Sequence, residues 1–257
     1  MASLSKSSVP HYVGAAFVFQ FCTSLAAGLM SSSMLSGDVR DVIGAAGADA
    51  ARLRVIVLLE LATSVGIIAL TSLLYVALRG TIRWMATVAF ALWLAEAAVL
   101  AVSMLGLYEL LDLGATSVSP GSSVAASDAA LGDFALGMHG HAAAIAMLFA
   151  SVGALLWYSL FIRTRFVPRW LGVWGLASIT LVGAATLLDV WDADLQPSML
   201  FYVAYMPFEL VVGIWLLAKG SPVQPATTGG TRLEALALTE VRHADAADAN
   251  AGGMTST

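Results

Sequence analysis

The chain has 257 residues, of which 59% are hydrophobic and 11% charged, and its mean hydropathy is +0.85. A soluble domain carries about 25% charged residues, so the composition excludes an ordinary soluble fold and predicts an all-α, polytopic transmembrane bundle whose first partner is the lipid bilayer. The net charge of −5 offers nothing to nucleic acid, and the single cysteine, Cys22, excludes an intramolecular disulfide and any multi-cysteine metal site.

Residues 1–11 are polar and form a short N-terminal segment. The first apolar run, 12–30, is long enough for the ~20 residues that span a bilayer. It exceeds the ~7–15 apolar residues of a secretory leader, so a retained span is expected rather than a cleaved one. Cys22 lies in this run and is expected to pack as a small buried hydrophobe. Phe17, Phe19 and Phe21 are expected to pack or to face lipid.

Residues 31–54 read as a polar loop, because Asp38, Arg40, Asp41, Asp49, Arg52 and Arg54 alternate in sign. The second span, 55–78, carries Glu60. A basic turn at 79–83 leads to the third span, 84–107, which carries Glu96. Residues 108–138 read as a long loop of Ser, Gly, Ala and acid. His139 and His141 then open the fourth span, which ends at 162. After the basic turn at 163–169 comes the fifth span, 170–188, closed by Asp189 and Asp192. The sixth span, 199–218, holds Pro207 and Glu209 and is followed by Lys219. Residues 220–257 form a polar, flexible tail, in which 232–242 has the pattern of one short amphipathic helix.

Arginine and lysine concentrate in the turns at 79–83 and 163–169 and after the last span. The positive-inside rule therefore predicts six spans across 12–219 with both termini cytoplasmic. Arg40, Arg52 and Arg54 run against the rule. Trp84, Trp170, Trp191 and Trp215 fall near span ends, where interfacial tryptophans belong.

The chemistry of the sequence lies in its membrane-embedded acid. Glu60, Glu96 and Glu209 sit in apolar runs with no lysine or arginine among them. An acidic side chain at a helix centre costs roughly 2.5 to 3.5 kcal/mol on insertion scales. Each must be protonated, bound to a cation or turned toward water. With this topology Glu60 lies roughly 8 Å from the outer face and Glu96 roughly 18 Å from the inner one, at ~1.5 Å per helical residue. Glu209 falls about mid-span, and Asp189 at the outer rim joins the three glutamates as a ligand- or cation-binding candidate. Turned inward, these groups would line one outward-opening cavity. Pro207 is expected to kink the sixth span beside Glu209 and free the carbonyl of Val203. His139 and His141 are a candidate metal clip, on the condition that Gly140 keeps the segment non-helical, since residues two apart do not share a helix face. Gly172 and Gly175 suit close helix packing. The chain has no phosphate-binding glycine loop, H-E-x-x-H or G-x-S-x-G pattern.

Two stretches carry a family resemblance: F-I-R-T-R-F-V-P-R-W-L-G-V-W-G at 161–175 and P-F-E-L-V-V-G-I-W-L-L-A-K-G at 207–220, joined by L-L-Y-x-x-L-R at 73–79. The pattern resembles a bacterial integral-membrane family, domain of unknown function family 4386. The resemblance implies a bundle of about six spans in a bacterial inner membrane. It places Glu209, and also Glu96, within family-like motifs, and it brings no activity, cofactor or substrate. Three functions remain open. One is a small-solute or cation-binding or transport bundle built on the glutamates, expected as a homo-oligomer because six spans is few for a carrier. Another is a membrane-embedded metal-dependent enzyme for a lipid-like substrate, using His139, His141, Glu60 and Glu96. The third is a non-catalytic accessory or regulatory subunit.

Overall fold

The computed structural model describes residues 8–117, 124–191 and 203–220, and all the described residues in regular structure are helical. Their helices are α1 Val9–Met34, α2 Val39–Ala48, α3 Ala50–Leu78, α4 Arg83–Ser117, α5 Ala126–Thr164, α6 Arg169–Trp191 and α7 Tyr205–Lys219. Five of them, α1 and α3 to α6, are long and apolar enough to cross a membrane. The fifteen residues of α7, with Val203 and Ala204 before them, cover the described part of the sixth expected span. The tail pattern at 232–242 and Asp192 lie outside the described residues.

The helices other than α2 close a ring in the order α1, α3, α4, α5, α6, α7 and back to α1. Neighbours run antiparallel. Thr23 of α1 meets Thr63 of α3, their hydroxyl oxygens 2.8 Å apart. The Trp93 indole of α4 donates to the Ala150 carbonyl of α5 at 3.1 Å. Trp174 of α6 donates to the Ala204 carbonyl at the start of α7, also at 3.1 Å. Between α1 and α7 the backbones themselves touch: a Cβ on Gly14 would lie 2.6 Å from the Leu217 nitrogen and 2.7 Å from the Gly213 oxygen. Small residues permit that approach where lipid supplies no hydrophobic drive between helices. Gly175 meets the ring of Phe208 and Gly172 meets Ile162, so both glycines serve packing as expected. The main core fills the ring with Phe17, Leu70, Trp157, Phe161 and Phe208, all fully buried.

Two expected loops are helices. Within 31–54, Val39, Val42, Ile43 and Ala46 are buried along one face of α2, at the spacing of an apolar helical stripe. Asp38 caps this helix, its carboxylate accepting the Arg40 N–H at 2.9 Å. Likewise 108–138 is mostly helix: α4 continues to Ser117 and α5 begins at Ala126. With 35 and 39 residues, these helices reach roughly 52 and 58 Å, well beyond a hydrocarbon layer of about 30 Å. Their extensions pack with α2 around a second core that includes Ile43, Leu53, Leu107, Leu110 and Ala135. The glycines and alanines that suggested a loop are contacts: a Cβ on Gly114 would lie 2.6 Å from the Gly47 nitrogen.

The turns at 79–83 and 163–169 and Lys219 lie at one end of the ring, and α2 with the acidic extensions at the other. The start of α1 and the end of α7 share the basic end, where a Cβ on Gly220 would lie 3.1 Å from the His11 ring. Arg52, an exception to the charge rule, has a local partner. Its guanidinium donates to the Met30 carbonyl at 3.3 Å and to the Ser33 hydroxyl, tying down the last turns of α1. Trp84, Trp170 and Trp191 are exposed as expected, whereas Trp215 packs edge-on against Trp170 with its indole nitrogen buried. Cys22 is exposed rather than buried, because it falls on the side of α1 that has no neighbouring helix.

At the α5–α6 turn, Arg165 adopts φ 55°, and the Phe166 N–H returns to the Phe161 carbonyl at 3.1 Å. The two phenyl rings stack with centroids 5.4 Å apart, completing a left-handed helix stop with its apolar clasp. A side chain in this region costs about 1 kcal/mol that glycine avoids. Arg165→Gly should therefore raise thermal stability in detergent by a few degrees, at about 2–4 °C per kcal/mol for a chain of this size. An unchanged or lower midpoint would show that the arginine makes a compensating contact.

Candidate functional site

The interior of the ring holds a small cavity lined by Gln20, Ile67, Trp93, Glu96, Ala150, Tyr205 and Glu209. It draws on α1, α3, α4, α5 and α7 and has a volume of about 10 Å³. That is close to the ~10–15 Å³ needed to hold one water molecule. Two carboxylates enter it, from α4 and α7, and no lysine or arginine lines it. Glu209 is buried and Glu96 half-buried.

Glu209 is held from several sides. The Tyr205 hydroxyl, one turn earlier on α7, donates to its Oε1 at 2.8 Å. Tyr158 of α5 lies 3.2 Å from the Tyr205 hydroxyl. Since Tyr205 gives its proton to the carboxylate, Tyr158 is the donor in that second bond. The Gln20 side chain approaches Glu209 from α1. The start of α7 is itself pinned: the Ala204 carbonyl accepts from the Trp174 indole and from the Ser178 hydroxyl at 3.2 Å, both on α6. Pro207 lies in the first turn of α7, which begins just after the turn at Ala204, and Val203 before that turn is helical. The Ala204 carbonyl receives outside partners, and residues 192–202, over which the expected kink of the sixth span would be read, lie outside the described residues.

Glu60 lies elsewhere. It lines a separate pocket of about 200 Å³ with Ser24, Ala27, Gly28, Thr63, Leu100, His139 and Ala143. The sequence candidates thus divide between two pockets instead of sharing one cavity. Asp189 is exposed near the end of α6 and joins neither. The metal clip loses its condition, because residues 126–164 are helical through Gly140. Two residues apart on a helix is roughly 200° of rotation. Accordingly His139 faces the Glu60 pocket and His141 is exposed. Among the described residues no group of three or more His, Cys, Asp and Glu side chains could hold a metal ion. The set His139, His141, Glu60 and Glu96 is therefore not assembled.

Sequence reasoning missed Gln20, Trp93, Tyr158 and Tyr205. Gln20 was legible as a lone amide in an apolar run, and Tyr205 as the residue one turn before Glu209.

Taken together, the apolar helices and their closed antiparallel ring define a multi-pass helical membrane protein. A sequence model of the family described as a domain of unknown function (DUF4386) matches residues 12–220, and the chain belongs to that family. Comparison with curated proteins and with solved structures finds no match.

Proposed function

We propose that the bundle binds a proton or a sodium-sized cation between Glu96 and Glu209, as the central step of small-cation binding or transport. The observation that carries this reading is the meeting of two carboxylates in one small cavity without a basic residue. Two negative charges at close range in a poorly hydrated interior repel strongly, and a shared proton or a bound cation offsets them. The cavity is too small for an organic cation, which narrows the choice to a proton or a bare ion with at most one water. Oxygen donors are at hand in both carboxylates, in Gln20 and in the Tyr205 hydroxyl, and these suit a hard cation. In this reading the basic end of the ring faces the cytoplasm.

The metal-dependent enzyme draws no support from this geometry, since Glu96 and His141 lie outside the pocket that Glu60 and His139 share. The accessory subunit is separated by experiment. A ligand that binds only the folded protein stabilises it by about 2.7 kcal/mol at a hundred times its dissociation constant. Sodium, potassium and lithium chlorides, balanced with choline chloride, should be compared by thermal unfolding of the detergent-purified protein at several pH values. A rise of about 5–10 °C with one alkali cation identifies that ion. A dependence on pH with no cation preference identifies the proton. A midpoint indifferent to both sinks the reading in favour of glutamates that only join helices.

A further inference from the structure

The two pockets lie on one seam. Each of the four helices that line the Glu60 pocket also lines the inner cavity, at a residue one or two turns away. On α1 the step is from Ser24 to Gln20, and on α4 from Leu100 to Glu96. On α3 it is from Glu60 and Thr63 to Ile67, and on α5 from Ala143 to Ala150. These offsets correspond to roughly 6–10 Å along the bundle axis. All four steps run toward the basic end. Counted from that end, Glu60 lies roughly 27 Å up and Glu96 and Glu209 roughly 20 and 15 Å, at ~1.5 Å per residue. Glu60 is thus near the far edge of a hydrocarbon layer of about 30 Å, and the inner pair is near its middle.

We infer that the Glu60–His139 pocket is a hydrated vestibule through which a small cation, still carrying water, enters from the acidic end and passes to Glu96 and Glu209. The inference rests on the cation reading of the inner pair. Size supports the direction of the handover. The outer pocket, at about 200 Å³, has room for a cation with several waters, whereas the inner cavity of about 10 Å³ does not. A carboxylate stands at each level, so charge compensation continues as water is shed. His139 is oriented for the outer level: its Nδ1 lies 3.4 Å from the Ser103 carbonyl. A carbonyl only accepts, so Nδ1 carries a hydrogen in that contact, which turns the other edge of the ring away from Ser103.

The exposed Cys22 makes the test direct, because Cys22→Ser removes the sole native thiol. In that background, Ala143→Cys places a thiol in the outer pocket and Ala150→Cys places one in the inner cavity. A membrane-impermeant cationic thiosulfonate added to the acidic end of membrane-embedded protein is expected to label Ala143→Cys to completion and to leave Ala150→Cys unlabelled. Alongside, sodium jumps and pH jumps followed by stopped-flow tryptophan fluorescence read the exchange rate. The isosteric variant Glu60→Gln should slow association by about tenfold or more, the scale of electrostatic steering, and slow dissociation equally, leaving equilibrium affinity unchanged. A wild-type cation response with unlabelled Ala143→Cys, or with wild-type rates in Glu60→Gln, overturns the vestibule alone. Absence of any response in the wild-type protein overturns the reading of the inner pair, and the handover with it.

Discussion

Glu209→Gln and Glu96→Gln should each cut the cation response by about half or more while leaving the protein folded. Glutamine has the shape of glutamate, so Tyr205 can still donate to the Oε1 of a glutamine at 209, and the 2.8 Å bond persists. What disappears is one of two negative charges in a cavity with room for about one water. A charge-assisted contact to a desolvated ion contributes about 1.5–3 kcal/mol, so affinity should fall by about tenfold to more than a hundredfold in either variant. Folding stability without added cation should hold or rise, because removing a buried charge removes its desolvation cost. The measurement is the same thermal titration, on wild type and both variants. Loss of stability in both variants, with no cation response in the wild type, would instead mark the glutamates as structural links between helices.

Gly14→Leu should produce the largest structural effect of any single substitution considered. A Cβ there meets backbone, the Leu217 nitrogen at 2.6 Å and the Gly213 oxygen at 2.7 Å, so no side-chain rotation can relieve it. Overpacking typically costs about 1–3 kcal/mol where side chains can adjust, and more where they cannot. The new side chain must push α1 away from α7. Because Gln20 of α1 and Glu209 of α7 face the same cavity, the site should open along with the interface. Size-exclusion chromatography in detergent should show loss of the monodisperse species, or else a lowered midpoint with no cation response. Gly28→Leu is the control on the same helix for folding stability alone, because nothing lies within 4 Å of its Cβ position although it borders the Glu60 pocket. Helix propensity predicts that it holds or gains about 0.5–1 kcal/mol. Equal damage from both would show that α1 tolerates no added bulk anywhere and that the α1–α7 contact is not special.

Composition and apolar run length by themselves determined that this is a helical membrane protein and which carboxylates are out of place in lipid. These properties follow from local transfer free energy, summed along the chain, and need no knowledge of neighbours. Charge placement along the chain likewise separates a basic end from an acidic one. The sequence alone did not reveal α2 or the extensions of α4 and α5. Ile43, Leu110 and Ala135 become core only once three segments distant in sequence meet, and their charged neighbours mask the stripe when it is read locally. Helical continuity through Gly140 decided that His139 and His141 diverge. The start of α7 put Pro207 in a first helical turn, just after the turn at Ala204. Above all, the tertiary structure decided which acids meet. Glu96 and Glu209 are far apart in sequence and belong to helices that do not pack directly on one another. They share a cavity because the ring closes through α1, where Gly14 lets two backbones touch. That closure is a property of packing between helices, and no single stretch of the chain encodes it.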